Sequence, residues 1–167
     1  MNKYYQTLDR ILTNGKTQAN KKGNIQYLLN EVLSMDATDL AEIFSEHKIA
    51  KSKLKAELEM YMEGITSVDL YNDAGVFWWD YCAPTLINSY PTYFKKLPAL
   101  IDKINREKRP SKNYVLFIGE TGVETNQLPC LSLIQFQISD GQLYMTVFQR
   151  SADSSIGDLS SNATDEA

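Results

Sequence analysis

The chain has 167 residues, enough for one domain with a buried core, and its 43% apolar and 23% charged content is ordinary for a globular protein. A net charge of -4 argues against a general affinity for nucleic acid, which needs a basic footprint. No apolar run is long enough to span a bilayer, and the start Met1-Asn2-Lys3-Tyr4-Tyr5 lacks an apolar leader core, so the cytoplasm is the default compartment. Two cysteines, Cys82 and Cys130, have no metal-type spacing and read as free thiols, and the single histidine, His47, argues against a histidine-rich metal centre.

Residues Asn2 to Thr13 carry Tyr4, Leu8, Ile11 and Leu12 at helical spacing, and Asn14-Gly15 stops the pattern. Lys16 to Asn24, with Lys21, Lys22 and Gly23, reads as a basic loop, and most such loops are simply solvated. Ile25 to Met35 is ambiguous between helix and strand, and Asp36 to Asp39 reads as a turn or a helix start. From Lys51 to Met62 the helical pattern returns, with Leu54, Leu58, Tyr61 and Met62 on one face and Gly64 as the stop.

Glu57 borders that apolar face. A carboxylate held there would have a raised pKa and could handle protons, while the bland alternative is a surface pair with Lys53 four residues earlier. Val76-Phe77-Trp78-Trp79-Asp80 sets three aromatics beside an acid, which is commoner in a core or interface than at a stacking site. Thr92 to Lys108 is predicted to be one helix, with Pro98 near its beginning, and Asn113 to Gly119 a strand buried on both faces by its continuous apolar run.

Leu131 to Ile138 and Leu143 to Phe148 are rich in β-branched, aromatic and aliphatic residues, and Asp140-Gly141 between them is a strong hairpin signal. A two-residue loop there pairs Ile134 with Val147, Phe136 with Met145 and Ile138 with Leu143. Continued outward, the same register sets Cys130 opposite Ser151, with Arg150 and Asp153 nearby. A perfect ladder would turn Arg150 away from Cys130, so joint action requires a β-bulge. The other face, with Leu131, Leu133, Tyr144 and Phe148, is too apolar for water and needs a second cover, for which a homodimer is expected.

A cysteine attacks as thiolate, and with an ordinary pKa near 8.5 it needs a cation beside it at neutral pH. Arg150 could be that cation and hold a phosphate with its remaining donors. Inert core filling is the commoner fate of a lone strand cysteine.

Pro129-Cys130, Gln135-Phe136, Asp140-Gly141 and Gln149-Arg150-Ser151 with Asp153, in this order and at these distances, resemble the core of the thymidylate synthase and pyrimidine-nucleotide hydroxymethylase family. Glu57-Leu58-Glu59-Met60-Tyr61 resembles the segment with that family's catalytic glutamate, nearest to the Glu-Leu-Glu-Trp-Tyr of its hydroxymethylases. Trp79-Asp80 is similar to its Trp-Asp on the folate side of the pocket, and Tyr90 to its active-site tyrosine, without the usual glycines. Lys22-Gly23-Asn24 stands where the family has an arginine-threonine-glycine phosphate loop, and Ser111-Lys112-Asn113 where it has Ser-Arg-Arg reaching the neighbouring subunit.

The resemblance implies an α/β (α+β) fold, a mixed sheet with flanking helices. It implies transfer of a one-carbon unit from methylenetetrahydrofolate, as co-substrate and without a metal, to C5 of a pyrimidine deoxynucleoside monophosphate. Cys130 would form the covalent adduct at C6, Glu57 would move protons through water, and Tyr90 would stand near the departing C5 proton. Arg150, Ser151 and Lys22 would hold the nucleotide phosphate, Trp79 and Asp80 would border the folate, and Asp153 would serve both ligands. The product would be methyl or hydroxymethyl, with the Glu-Leu-Glu-x-Tyr match leaning to the second.

The match covers residues up to Gly157, taken as one incomplete domain of residues 1–157. Beyond it, Asp158 to Ala167 is polar and reads as a frayed tail in place of the family's Leu-Pro-Phe-Asn continuation, as if a reading frame were interrupted. An alternative is a module that binds nucleotide or regulates without turnover. A cysteine hydrolase using His47 is the poorer third reading.

Overall fold

The computed structural model describes residues 3–20, 23–46 and 50–152. They divide into two units, one before Ala50 and one from Ala50 onward. Helices stand beside two antiparallel sheets, which is the α/β class the sequence suggests. His47 and the tail from Asp153 lie outside the described residues.

In the first unit, α1 (Lys3–Asn14) ends where the sequence predicts. The Gly15 N–H bonds to the Ile11 carbonyl at 2.9 Å, and a Cβ at Gly15 would sit 2.2 Å from that oxygen, so the chain can leave the helix here only as glycine. The predicted basic loop is instead a hairpin: β1 (Lys16–Asn20) pairs with β2 (Gly23–Tyr27), from Lys16 opposite Tyr27 to Asn20 opposite Gly23. Of the β-branched and aromatic residues that announce a strand, these two carry only Thr17, Ile25 and Tyr27, too few to show an alternating apolar face, so ladder pairing decides the conformation. α2 (Ala37–Glu46) begins at the predicted start, where Asp36 Oδ1 accepts the N–H of Thr38 at 2.8 Å and of Asp39 at 2.9 Å, and Asp39 Oδ2 accepts the Asp36 N–H at 3.0 Å.

The second unit opens with α3 (Lys51–Glu63), which stops at Gly64 with φ 76°. The Gly64 N–H reaches the Tyr61 carbonyl and the Ile65 N–H the Met60 carbonyl, a left-handed helix ending that glycine adopts without strain. Its buried residues are Glu57 and Tyr61, whereas Leu58 is exposed, so the inward face is turned from the one the apolar pattern predicts. α4 (Val68–Asp73), a 3-10 turn (Asp80–Cys82), α5 (Tyr90–Phe94) and α6 (Leu97–Glu107) follow. The single helix predicted over Thr92 to Lys108 is therefore two. Pro98 has no N–H and fits only the first turn of a helix, so α6 starts afresh at Leu97.

The sheet of this unit has β3 (Val115–Phe117), β4 (Leu131–Ser139) and β5 (Gln142–Gln149) in that order. Asp140 and Gly141 take φ 51° and 74°, the paired left-handed turn of a two-residue hairpin. The predicted partners Ile134 and Val147, Phe136 and Met145, and Ile138 and Leu143 all face one another. Ile134 enters a core with Tyr61, Val68, Tyr71, Trp79, Cys82 and Phe94. β3 is not buried on both faces: Tyr114, Leu116 and Ile118 point inward and Phe117 is 67% exposed, because only one face of this sheet is covered by the described helices.

Candidate active site

Glu57 is 5% exposed on the inner face of α3, which excludes a surface pair as its setting. Three donors converge on its Oε1: the Tyr61 hydroxyl at 2.5 Å, the Trp79 indole N–H at 2.7 Å and the Trp78 indole N–H at 2.8 Å. Tyr61 reaches it because residues four apart share a helix face. The two indoles come from the turn after α4. A buried carboxylate is tolerated only with such partners. Burial pushes the Tyr61 phenol well up, and the charge of Glu57 pushes it further, so Tyr61 stays a donor.

Tyr61 stacks on Tyr90, with ring centroids 5.4 Å apart, and Trp79 meets the same ring edge-on at 6.1 Å. At its far end the Tyr90 hydroxyl accepts the backbone N–H of Cys130 at 3.1 Å and, less closely, of Leu131 at 3.4 Å. Burial pushes the Tyr90 phenol up, the Leu131 N–H pulls it down, and the neighbouring Cys130 thiol pushes it up again. With its oxygen accepting two backbone donors, the phenol keeps its own proton to donate. A continuous path thus runs from the Glu57 carboxylate through packed rings to the cysteine.

The two cysteines differ. Cys130 is half-buried at the start of β4, whereas Cys82 is buried in the core, where burial pushes its thiol up. Of the two, Cys130 is the more accessible.

The bulge required for Cys130 and Arg150 to act together is present. The ladder pairs Leu131 with Gln149 but Leu133 with Phe148, so Ser132 is the extra residue. Below it the register moves by one: the Arg150 N–H bonds to the Cys130 carbonyl at 2.9 Å, and Arg150, not Ser151, is the partner of Cys130. This corrects the pairing expected from the unbroken register. The guanidinium turns back on the approach to the cysteine, with Nε 3.1 Å from the Pro129 carbonyl and Nη2 2.8 Å from that of Leu128. Those bonds use two of its five N–H donors.

Ser151 is exposed beyond the end of β5. Asp80 is exposed and accepts the Asn72 amide at 2.6 Å, while its neighbour Trp79 is 4% exposed and turned toward Glu57. Lys22 and Asp153 lie outside the described residues. Trp78 escaped the sequence reading as a partner of Glu57, although the aromatic run beside an acid was its signal.

A family model described as thymidylate synthase matches residues 2–164. A protein of Methanocaldococcus jannaschii named "Putative thymidylate synthase" is 32% identical over 121 residues, covering 64% of this chain and 54% of the relative. The chain thus spans about half the length of that relative. Among the described residues, no helix is long and apolar enough to cross a membrane.

Proposed function

Because this chain belongs to the thymidylate synthase family, we propose that it transfers a one-carbon unit from methylenetetrahydrofolate to C5 of a pyrimidine deoxynucleoside monophosphate. The observation that carries this reading is the alignment of Cys130 with Arg150 across the bulged end of the hairpin, with the Tyr90 hydroxyl on the Cys130 amide. Cys130 adds as thiolate to C6 of the base, which makes C5 electron-rich enough to attack the methylene carbon of the folate. Loss of the C5 proton then expels tetrahydrofolate from the bridging methylene, hydride from that folate or water adds to the exposed methylene carbon, and departure of the Cys130 thiolate restores the ring double bond.

Arg150 stabilises the turn that presents Cys130 by holding the carbonyls of Leu128 and Pro129, and its other donors, with the Ser151 hydroxyl, hold the nucleotide phosphate. Glu57 relays protons through water, with its orientation set by Tyr61, Trp78 and Trp79. Tyr90 carries the proton nearest to C5. Trp79 backs the folate side from behind Glu57, and Asp80 borders it. The Glu57-Leu58-Glu59-x-Tyr61 pattern favours water as the nucleophile that captures the methylene carbon, and so a hydroxymethyl product.

Two copies pack through the outer sheet face, where Phe117, Tyr144 and Phe148 are exposed around Leu133. The cytoplasm is the compartment in which this chemistry is expected.

The test is release of tritium from C5 of labelled deoxyuridylate and deoxycytidylate, with and without methylenetetrahydrofolate. Release that vanishes in Cys130→Ala supports the reading. No release from either nucleotide by the wild-type chain overturns it.

One observation favours a second reading, a module that binds nucleotide without turnover: every residue of β5 is exposed, so the reacting end of the hairpin stands open to water. Calorimetric binding of either nucleotide without tritium release would select it.

A further inference from the structure

We propose that Asn88 and Asn126 are positioning residues that hold the Tyr90 hydroxyl against Cys130. The proposal deepens the reading above, because it names what fixes the geometry of that same site.

Cys130 ends a stretch from Gly119 to Pro129 that belongs to none of the helices or strands. Such a stretch would let the cysteine drift, yet the Tyr90 hydroxyl meets its amide at hydrogen-bonding distance. Two side-chain amides tie the stretch down. At its start, Asn88, 7% exposed, donates Nδ2 to the Glu120 carbonyl at 2.9 Å and accepts the Glu120 N–H on Oδ1 at 3.0 Å. The side chain thereby copies the two-way pairing of a strand neighbour. Tyr93 donates its hydroxyl to the same Oδ1. Asn88 has φ 49°, a left-handed conformation that asparagine adopts more readily than most residues.

Near its end, Asn126 donates Nδ2 to the carbonyls of Thr85 at 2.6 Å and Cys82 at 2.9 Å, and accepts the Ile87 N–H on Oδ1 at 3.0 Å. All three partners lie in the segment that leads into Tyr90. Asn126 stands four positions before Cys130 and Asn88 two before Tyr90, so the straps lie just outside the pair they align. Neither asparagine touches the thiol or the phenol. Each acts by removing slack between two loops, where a small misplacement is costly to a reaction.

The experiment is a double-mutant cycle on the full chain, read as the rate of alkylation of Cys130 by iodoacetamide, with the Cys130 and Cys82 peptides separated by mass spectrometry. The variants are Asn126→Ala, Tyr90→Phe and both together. If Asn126 acts through Tyr90, each single change slows alkylation at least about threefold and the double change slows it no further. A wild-type rate in Asn126→Ala, or a double variant slowed by the product of the two factors, overturns the proposal. The same cycle with Asn88→Gly, which keeps the left-handed backbone and loses the amide, decides the case if Asn126→Ala does not fold. Alkylation needs no nucleotide, so the cycle stays decisive even if the wild-type chain releases no tritium.

Discussion

The Tyr90 hydroxyl accepts the backbone N–H of Cys130 at 3.1 Å, so the phenol and the proposed nucleophile are joined through the main chain of the cysteine. In Tyr90→Phe, the amides of Cys130 and Leu131 lose that acceptor inside a partly buried site. The expected cost is about 1 kcal/mol in a denaturant titration, since a buried donor without a partner forfeits its solvation. The expected loss of C5 tritium release is about a hundredfold, the scale of a displaced proton-handling group.

Glu57 offers a cleaner separation of structure from chemistry. Glu57→Gln keeps an oxygen for Tyr61, Trp78 and Trp79, and is expected to unfold within about 1 kcal/mol of wild type while tritium release falls at least about a hundredfold. Glu57→Leu strands all three donors and should destabilise by about 3 kcal/mol or more. Equal loss of stability in the two variants would contradict a proton-handling role kept apart from packing.

Arg150→Lys preserves the charge and removes the planar fork that spans the Leu128 and Pro129 carbonyls. It is expected to lower kcat/KM for nucleotide about tenfold or more, and a neutral Arg150→Met variant should lose further affinity for the phosphate. A lysine variant with wild-type kinetics would mean that charge alone is used.

Alkaline pH should act through the buried tyrosines. The Tyr61 phenol is raised well above its ordinary value of 10.0, first by burial and then by Glu57, and Tyr71 is raised by the same two causes. Below pH 10 folded and unfolded chains both keep these protons, so the contribution to stability is complete. As pH rises past 10 the unfolded chain releases them and the folded chain does not, so the free energy of unfolding falls until the folded values are reached. Denaturant titrations from pH 9 upward should follow this decline, and Tyr71→Phe should flatten it.

The hairpin was legible because three signals agreed there: alternation, strand-forming residues, and Asp140-Gly141 at the turn. Even the bulge could be demanded beforehand, since without it Cys130 and Arg150 would diverge, though the partner of Cys130 came out one residue away. The β1 and β2 strands were not legible, because Lys16-Thr17-Gln18-Ala19 has no apolar face and is held by main-chain pairing. Leu58 misled in the opposite way, since the apolar pattern set Glu57 only at the border of the face, and it is the buried residue, supplied with donors from 21 and 22 positions along the chain. Asn88 and Asn126 were invisible for a related reason: their partners are main-chain groups up to 44 positions away, and a backbone amide leaves no mark in a sequence.

Among the described residues β5 is the outermost strand of its sheet, and it shows Leu143, Met145 and Val147 on one side and Tyr144 and Phe148 on the other. Such a ribbon is a template for further strand addition, by another molecule of the same kind or by any extended peptide. Rates and melting points of variants are therefore comparable only at matched dilution, and turbidity on concentrating the sample would come from this margin of the sheet and not from loss of the fold.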